Sequence, residues 1–196
     1  MHGARRGCAL MILLALVLLA QSGLRQITRV SQDEPAYSPD GARIVFISDV
    51  DGPNNVFTMD ADGRHVVRLT QHALSDDGPI WSSDGSRIAY SAMDKATGVS
   101  EIYLMTADGT GAVNLTRGAG YDRYPCFSPD GRRIVFESNR AEHSQILIME
   151  ADGSGVRVLV DGPGQLSAPR FSPDGKLVIF PREQGAETRV FTVPVP

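Results

Sequence analysis

The sequence predicts an all-β protein, a β-propeller of about four four-stranded antiparallel blades, on three observations. A turn segment, Ser38-Pro39-Asp40-Gly41, returns as Ser82-Ser83-Asp84-Gly85, Ser128-Pro129-Asp130-Gly131 and Ser172-Pro173-Asp174-Gly175, with the Asp residues 44, 46 and 44 positions apart. A second marker, Met59-Asp60-Ala61-Asp62-Gly63, returns in the same phase as Met105-Thr106-Ala107-Asp108-Gly109 and Met149-Glu150-Ala151-Asp152-Gly153. Between the markers lie short alternating or β-branched runs, and after the N-terminal segment no stretch carries the period of a helix. A period of about 45 residues holding four short strands is the arithmetic of a propeller blade.

Each marker has a turn chemistry. Proline presets φ at the second position, Ser and Asp bond nearby backbone groups, and Gly accepts positive φ, which specifies a hairpin with a bulge. The Asp-Gly of the second marker does the same for a second hairpin. Strands are expected at Arg43-Ile44-Val45-Phe46-Ile47 and Asn55-Val56-Phe57-Thr58-Met59 in the first repeat, and near 78–82, 87–92, 100–106 and 112–116 in the second. Tyr37, Trp81, Phe127 and Phe171 share one repeat position and are expected in the core between blades.

The fourth repeat stops one strand short, at Val190-Phe191-Thr192-Val193-Pro194. Arg25-Gln26-Ile27-Thr28 matches Val67-Arg68-Leu69-Thr70 and Val113-Asn114-Leu115-Thr116, so the last blade is expected to be closed by the N-terminal strand. Closure hides two sheet edges that otherwise invite aggregation.

The chain opens with Arg5 and Arg6, an apolar run from Cys8 to Ala20, then polar Gln21 and Ser22, the layout of a signal peptide over residues 1–22. Thirteen apolar residues make about 20 Å of helix, short of the roughly 30 Å hydrocarbon core. The expectation is an exported protein, periplasmic or secreted, with residues 23–196 as the propeller domain. Retention of the leader as an uncleaved membrane anchor is the alternative. Cleavage leaves 17 basic against 23 acidic residues, which speaks against nucleic acid and anionic membrane surfaces as partners. It also leaves Cys126 as the one cysteine, so no intrachain disulfide is available.

The repeated Ser-Pro-Asp-Gly, the aromatic before it, the alternating strand after it and the later Asp-Gly resemble the WD40-like repeats of TolB-type β-propellers, over roughly Leu24 to Pro196. The resemblance implies a binding or scaffolding module of the cell envelope with a protein partner. It departs from the family's larger members, which carry a separate α/β domain and look six-bladed. Closure within one chain, a homodimer forming an eight-bladed ring, and a fragment of a larger propeller all fit the same pattern.

In a four-stranded blade the two marker turns share one face, and the variable connections, including the blade-to-blade links, share the other. Function is expected on the variable face, because loops held by a rigid scaffold carry binding residues. The partner-binding candidates there are Asp33, Glu34, His72, Asp76, Asp77, Tyr121, Asp122, Arg123 and Tyr124. Arg and aromatic anchors with carboxylates suit recognition of a protein segment or polar ligand. No catalytic residue is named, since there is no Gly-x-Ser-x-Gly elbow. No metal or cofactor is expected either: Asp49-Val50-Asp51-Gly52-Pro53-Asn54 starts like a calcium loop but lacks the later Glu. The rival reading is a propeller-type carbohydrate-active or hydrolytic enzyme, in which Asp76, Asp122, His72 and His143 would converge at the channel mouth.

Overall fold

The computed structural model describes residues 33–196 apart from 51, 119 and 142. The leader expected over 1–22 and the strand expected at Arg25–Thr28 lie outside the described residues. Among the described residues there is no helix, hence none long and apolar enough to cross a membrane.

Four antiparallel sheets follow one another in chain order. Blade 1 holds β1 (Asp33–Tyr37), β2 (Arg43–Ser48), β3 (Asn55–Asp60) and β4 (Val67–Arg68), in the order β1-β2-β3-β4. Blade 2 repeats this with β5 (Ser75–Trp81), β6 (Arg87–Met93), β7 (Ser100–Thr106) and β8 (Val113–Asn114). Blade 3 has β9 (Arg123–Phe127), β10 (Arg133–Ser138), β11 (Gln145–Glu150) and β12 (Arg157–Val160). In blade 4, β13 (Gln165–Leu166) and β14 (Arg170–Phe171) pair with successive stretches of β15 (Leu177–Gln184), whose other edge is filled by β16 (Glu187–Pro194). β13 and β14 are therefore two halves of one interrupted innermost strand.

The marker turns form as their chemistry requires. Ser38 Oγ donates to Asp40 Oδ1 at 2.6 Å, Ala42 N donates to the same oxygen, and Arg43 N donates back to Ser38 Oγ at 2.9 Å. The equivalent serine donates to the equivalent aspartate in the other three repeats. These bonds hold the carboxyls below the usual range, Asp84 at about 2 with Ser82 and Ser86 as donors. The second turn needs its glycine for a further reason. A Cβ on Gly109 would sit 3.0 Å from the Leu69 carbonyl oxygen of the preceding blade.

Alternation places successive side chains on opposite faces of a blade, and both faces are apolar. Val45, Ile47 and Val56 of blade 1 share a core with Trp81, Ile88, Tyr90 and Met105 of blade 2. Ala89, Ile102 and Leu104 of blade 2 meet Phe127, Ile134, Phe136 and Met149 of blade 3. Val135, Ile146 and Ile148 of blade 3 meet Leu166, Val178 and Phe180 of blade 4. Ile44, Phe46, Phe57 and Met59 form a separate buried cluster within blade 1. Arginines clamp two of the junctions: the Arg43 guanidinium lies 4.6 Å over the Trp81 ring and that of Arg87 5.7 Å over Phe127.

The aromatic position splits. Trp81 and Phe127 are buried at 5% and 7% exposure, but Tyr37 is 64% exposed, because among the described residues no blade packs against it from the preceding side. Phe136 is fully buried within the blade 2–blade 3 core. Phe136→Ala is expected to cost about 3–5 kcal/mol, read as a fall in the midpoint of thermal or denaturant unfolding.

Candidate functional site

The innermost strands β1, β5, β9 and β13/β14 converge on one cavity of about 450 Å³. Each carries a proline, Pro35, Pro79, Pro125 or Pro169, and proline disfavours the right-handed helical region for the residue before it. That residue is left-handed in all four blades: Glu34 at φ 51°, Gly78 at 57°, Tyr124 at 52° and Ala168 at 42°. The pairing register slips at the same place, between Asp33 and Ala36, between Asp77 and Ile80, and opposite Val135–Glu137, as a bulge requires. A left-handed residue other than glycine costs of order 1 kcal/mol or more, and three of the four are not glycine. The bulges turn Glu34, Gly78, Tyr124 and Ala168 into the cavity wall.

Around this ring the polar groups gather. Glu34 Oε2 accepts the Gly78 N–H at 2.5 Å, which ties blade 1 to blade 2. The Arg123 guanidinium lies 4.6 Å from the Tyr121 ring and 4.7 Å from the Tyr124 ring. Its Nη2 is 3.9 Å from Glu137 Oε1. Glu137 is buried, and burial raises its pKa although Arg123 opposes the shift. Gln165 Nε2 donates to Glu137 Oε1 at 3.3 Å, while among the described residues Glu137 Oε2 and Arg123 Nε find no hydrogen-bond partner. Burial also raises the Tyr124 phenol. The result is a mouth with carboxylate, guanidinium and aromatic surface. Cys126 is half-buried in blade 3, and desolvation raises its thiol pKa.

The structure separates the sequence candidates into two sets. Glu34, Asp77, Tyr121, Arg123 and Tyr124 lie on or beside the ring, and Asp33 opens β1 next to it. Asp76 and Asp122 instead occupy one repeat position, fully buried, where each link returns to the preceding blade. Asp122 N donates to the Ser100 carbonyl at 2.8 Å, and its carboxylate accepts from Ser138 Oγ at 2.6 Å and Arg140 Nη2 at 2.8 Å. Asp76 N donates to the Asn54 carbonyl at 2.9 Å, and its carboxyl accepts from the Thr70 hydroxyl. Its Oδ1 lies 3.4 Å from His72 Nε2. The counterparts of Ser138 and Arg140 in blade 2 are Ala92 and Asp94, so Asp76 lacks both donors. His143 pairs with Asp161 on the surface. Asp76 and His72 thus face each other, while Asp122 and His143 pair elsewhere, with Arg140 and Asp161, and none of the four lines the channel cavity.

Sequence reasoning missed Glu137, Gln165 and Arg170. A signal existed for Glu137, a charged residue at a strand position held by Ile47 and Ser91 elsewhere. Among the described residues no three His, Cys, Asp or Glu side chains are grouped to hold a metal.

Burial raises the Asp76 pKa to about 7 and lowers that of His72. Between the ordinary 3.8 and about 7, the folded state holds a proton on Asp76 that the unfolded state has lost, so Asp76 makes stability fall as pH rises through that window. His72 acts in the opposite sense, below its ordinary 6.5. Asp76→Asn is expected to gain on the wild type as pH rises from about 5 to about 8, by at most about 1.4 kcal/mol per unit. Urea midpoints of both proteins across that range are the check.

Residues 92–195 match the family model described as the TolB β-propeller domain. Over 54 residues the chain is 37% identical to the Tol-Pal system protein TolB of Desulfosudis oleivorans, which covers 28% of this chain and 12% of that protein. Among solved structures, a putative TolB from Agrobacterium tumefaciens superposes with a TM-score of 0.75 at 28% identity, over 83% of this chain and 61% of that one. An oligogalacturonate lyase in complex with manganese superposes with a TM-score of 0.67 at 18% identity, over 85% and 49%, a likeness of fold alone. This chain spans less than two thirds of the length of each of these proteins.

Proposed function

The chain belongs to the TolB β-propeller domain family, and from that membership we propose that it is a non-catalytic, exported binding module of the periplasm or cell envelope that grips a protein partner at the channel mouth. The observation that carries the proposal is the convergence of all four innermost strands on one cavity, with Arg123 held between Tyr121 and Tyr124 at its rim. Rigid aromatic and arginine anchors at the centre of a patch are where interface binding energy concentrates. The relative from Desulfosudis oleivorans is named as part of a Tol-Pal system, which supports a protein partner in the envelope for this chain too.

The enzymatic reading needs Asp76, Asp122, His72 and His143 around one pocket. Their separate pairings, Asp122 with Arg140 and His143 with Asp161, support binding over catalysis.

A pull-down from the envelope fraction of the source organism tests the proposal. It compares the chain with Arg123→Ala/Tyr124→Ala and with the turn-face control Asp152→Ala. The double variant is expected to lose at least about tenfold of the recovered partner, as for loss of a hot spot, while the control matches the wild type. Equal recovery by all three proteins would move the site off the channel mouth.

A further inference from the structure

We propose that the end of the β15–β16 hairpin is a binding site for a carboxylate carried on an apolar body, with Arg182 as its cationic anchor and the Phe191 ring as its floor. The site is separate from the channel mouth, and the two cavities share no lining residue.

Blade 4 has the longest hairpin of the four, eight residues on each strand. β15 and β16 pair without a break from Leu177 and Pro194 to Gln184 and Glu187. Alternation puts Phe180, Arg182 and Gln184 on one face of β15, directly opposite Phe191, Arg189 and Glu187 of β16. This face is the one turned to blade 3, because Phe180 shares a core with Val135, Ile146 and Ile148. Toward the hairpin tip the core gives way to a cavity of about 330 Å³, lined by Arg182, Gln184, Glu187, Arg189 and Phe191. A cavity of that volume takes a small ligand.

Its charges do not balance. Arg182 and Arg189 stand directly opposite each other, and like charges so placed on neighbouring strands are destabilising. Glu187 answers one of them: its Oε2 accepts from Arg189 Nη2 at 2.5 Å. Arg182 has no acidic partner among the described residues, and its Nε, shielded from solvent, has no hydrogen-bond partner there. The Arg182 guanidinium lies 5.2 Å from the Phe191 ring, which in turn stacks on Phe180 at 6.0 Å. The ring holds the guanidinium in place and leaves its charge uncancelled. Two guanidiniums and one carboxylate leave the cavity with one net positive charge.

The sister blades show what this position ordinarily serves. Where blade 4 opposes Arg182 with Arg189, blades 1 to 3 oppose Ser48 with Asn55, Ala92 with Glu101 and Ser138 with Gln145, and none of the six is a cation. In blade 3 the position tends a carboxylate: Asp122 accepts from Ser138 Oγ and from Arg140 Nη2. In blade 4 the residue opposite Arg182 is Leu166, just as Asp76 is opposite Ala92 in blade 2. Blade 4 therefore has the cations without a carboxylate of its own, and a carboxylate from outside completes the set. The single net charge favours a monoanion, and Glu187 in the lining repels a dianion. A planar guanidinium matches a carboxylate in shape, and Phe191, 39% exposed, offers apolar surface to the rest of the ligand.

The test titrates the full chain with benzoate, with N-acetylphenylalanine and with neutral benzamide, read by ligand-observed NMR. Both acids are expected to bind and benzamide is not. The tighter acid names the source of the carboxylate, a free organic acid for benzoate or a polypeptide terminus for N-acetylphenylalanine. Arg182→Gln is expected to weaken the acids by about tenfold, as for loss of a charge-assisted hydrogen bond, while Arg157→Gln on β12 leaves them unchanged. Glu187→Gln, at an exposed position, frees Arg189 and is expected to tighten them, which keeps the test decisive if Arg182→Gln fails to fold. Equal binding of benzoate and benzamide, no binding of either acid, or unchanged affinity in both Arg182→Gln and Glu187→Gln overturns the proposal.

Discussion

Both faces of each blade are apolar, and the rest of the structure depends on neither face being left to water. Strand alternation sends Val45 one way and Phe46 the other, so a single sheet cannot satisfy itself and must be covered on two sides. Stacking answers this with three shared cores, each built from side chains of two successive repeats. The arginines of the first two blades extend the same contact by lying over the next blade's aromatic ring. Stability in such an array is largely a sum of nearest-neighbour terms. Among the described residues the outward face of blade 4 has no such neighbour, and Ile179 there is 42% exposed.

Stacking leaves the innermost strands crowded around a common axis, and the pre-proline bulge resolves the crowding. A left-handed residue before each proline breaks the ladder and sets that residue in the cavity wall in every blade. Strain of this kind persists where the surroundings over-determine it and tends to sit at functional positions. Here it coincides with the cavity and with the Arg123–Tyr124 rim. The two link carboxylates show how one position can be held in two ways. Asp122 has a permanent partner in Arg140, whereas Asp76 has a hydroxyl and a histidine and so responds to protons.

The blade count and the marker turns were legible in the sequence because their causes are local. Ser38 and Asp40 bond each other within the turn, and no distant residue has to be known. Strand positions followed from the same punctuation, with β5 beginning at Ser75, ahead of the expected Gly78, because the bulge lengthens the innermost strand. What a link residue does was not legible, because it depends on packing between blades. Asp76 and Asp122 read as loop carboxylates at the channel mouth, yet each closes backbone bonds to the preceding blade and is fully buried. Glu137, inside an alternating strand, read as part of a sheet and not as the partner of Arg123. Tyr37 shares the repeat position of Trp81 but not its burial, since burial comes from the neighbouring blade.

The central claim is that the family's stereotyped turns are framework and that recognition belongs to the ring of bulged innermost strands. Amide hydrogen exchange of the protein, alone and with a partner captured from the envelope, tests this most directly. The account predicts added protection confined to residues 34–36, 78–80, 121–125 and 168–170, with the Ser-Pro-Asp-Gly and Ala-Asp-Gly turns unchanged. Protection concentrated on those turns, with the ring unaltered, would contradict it.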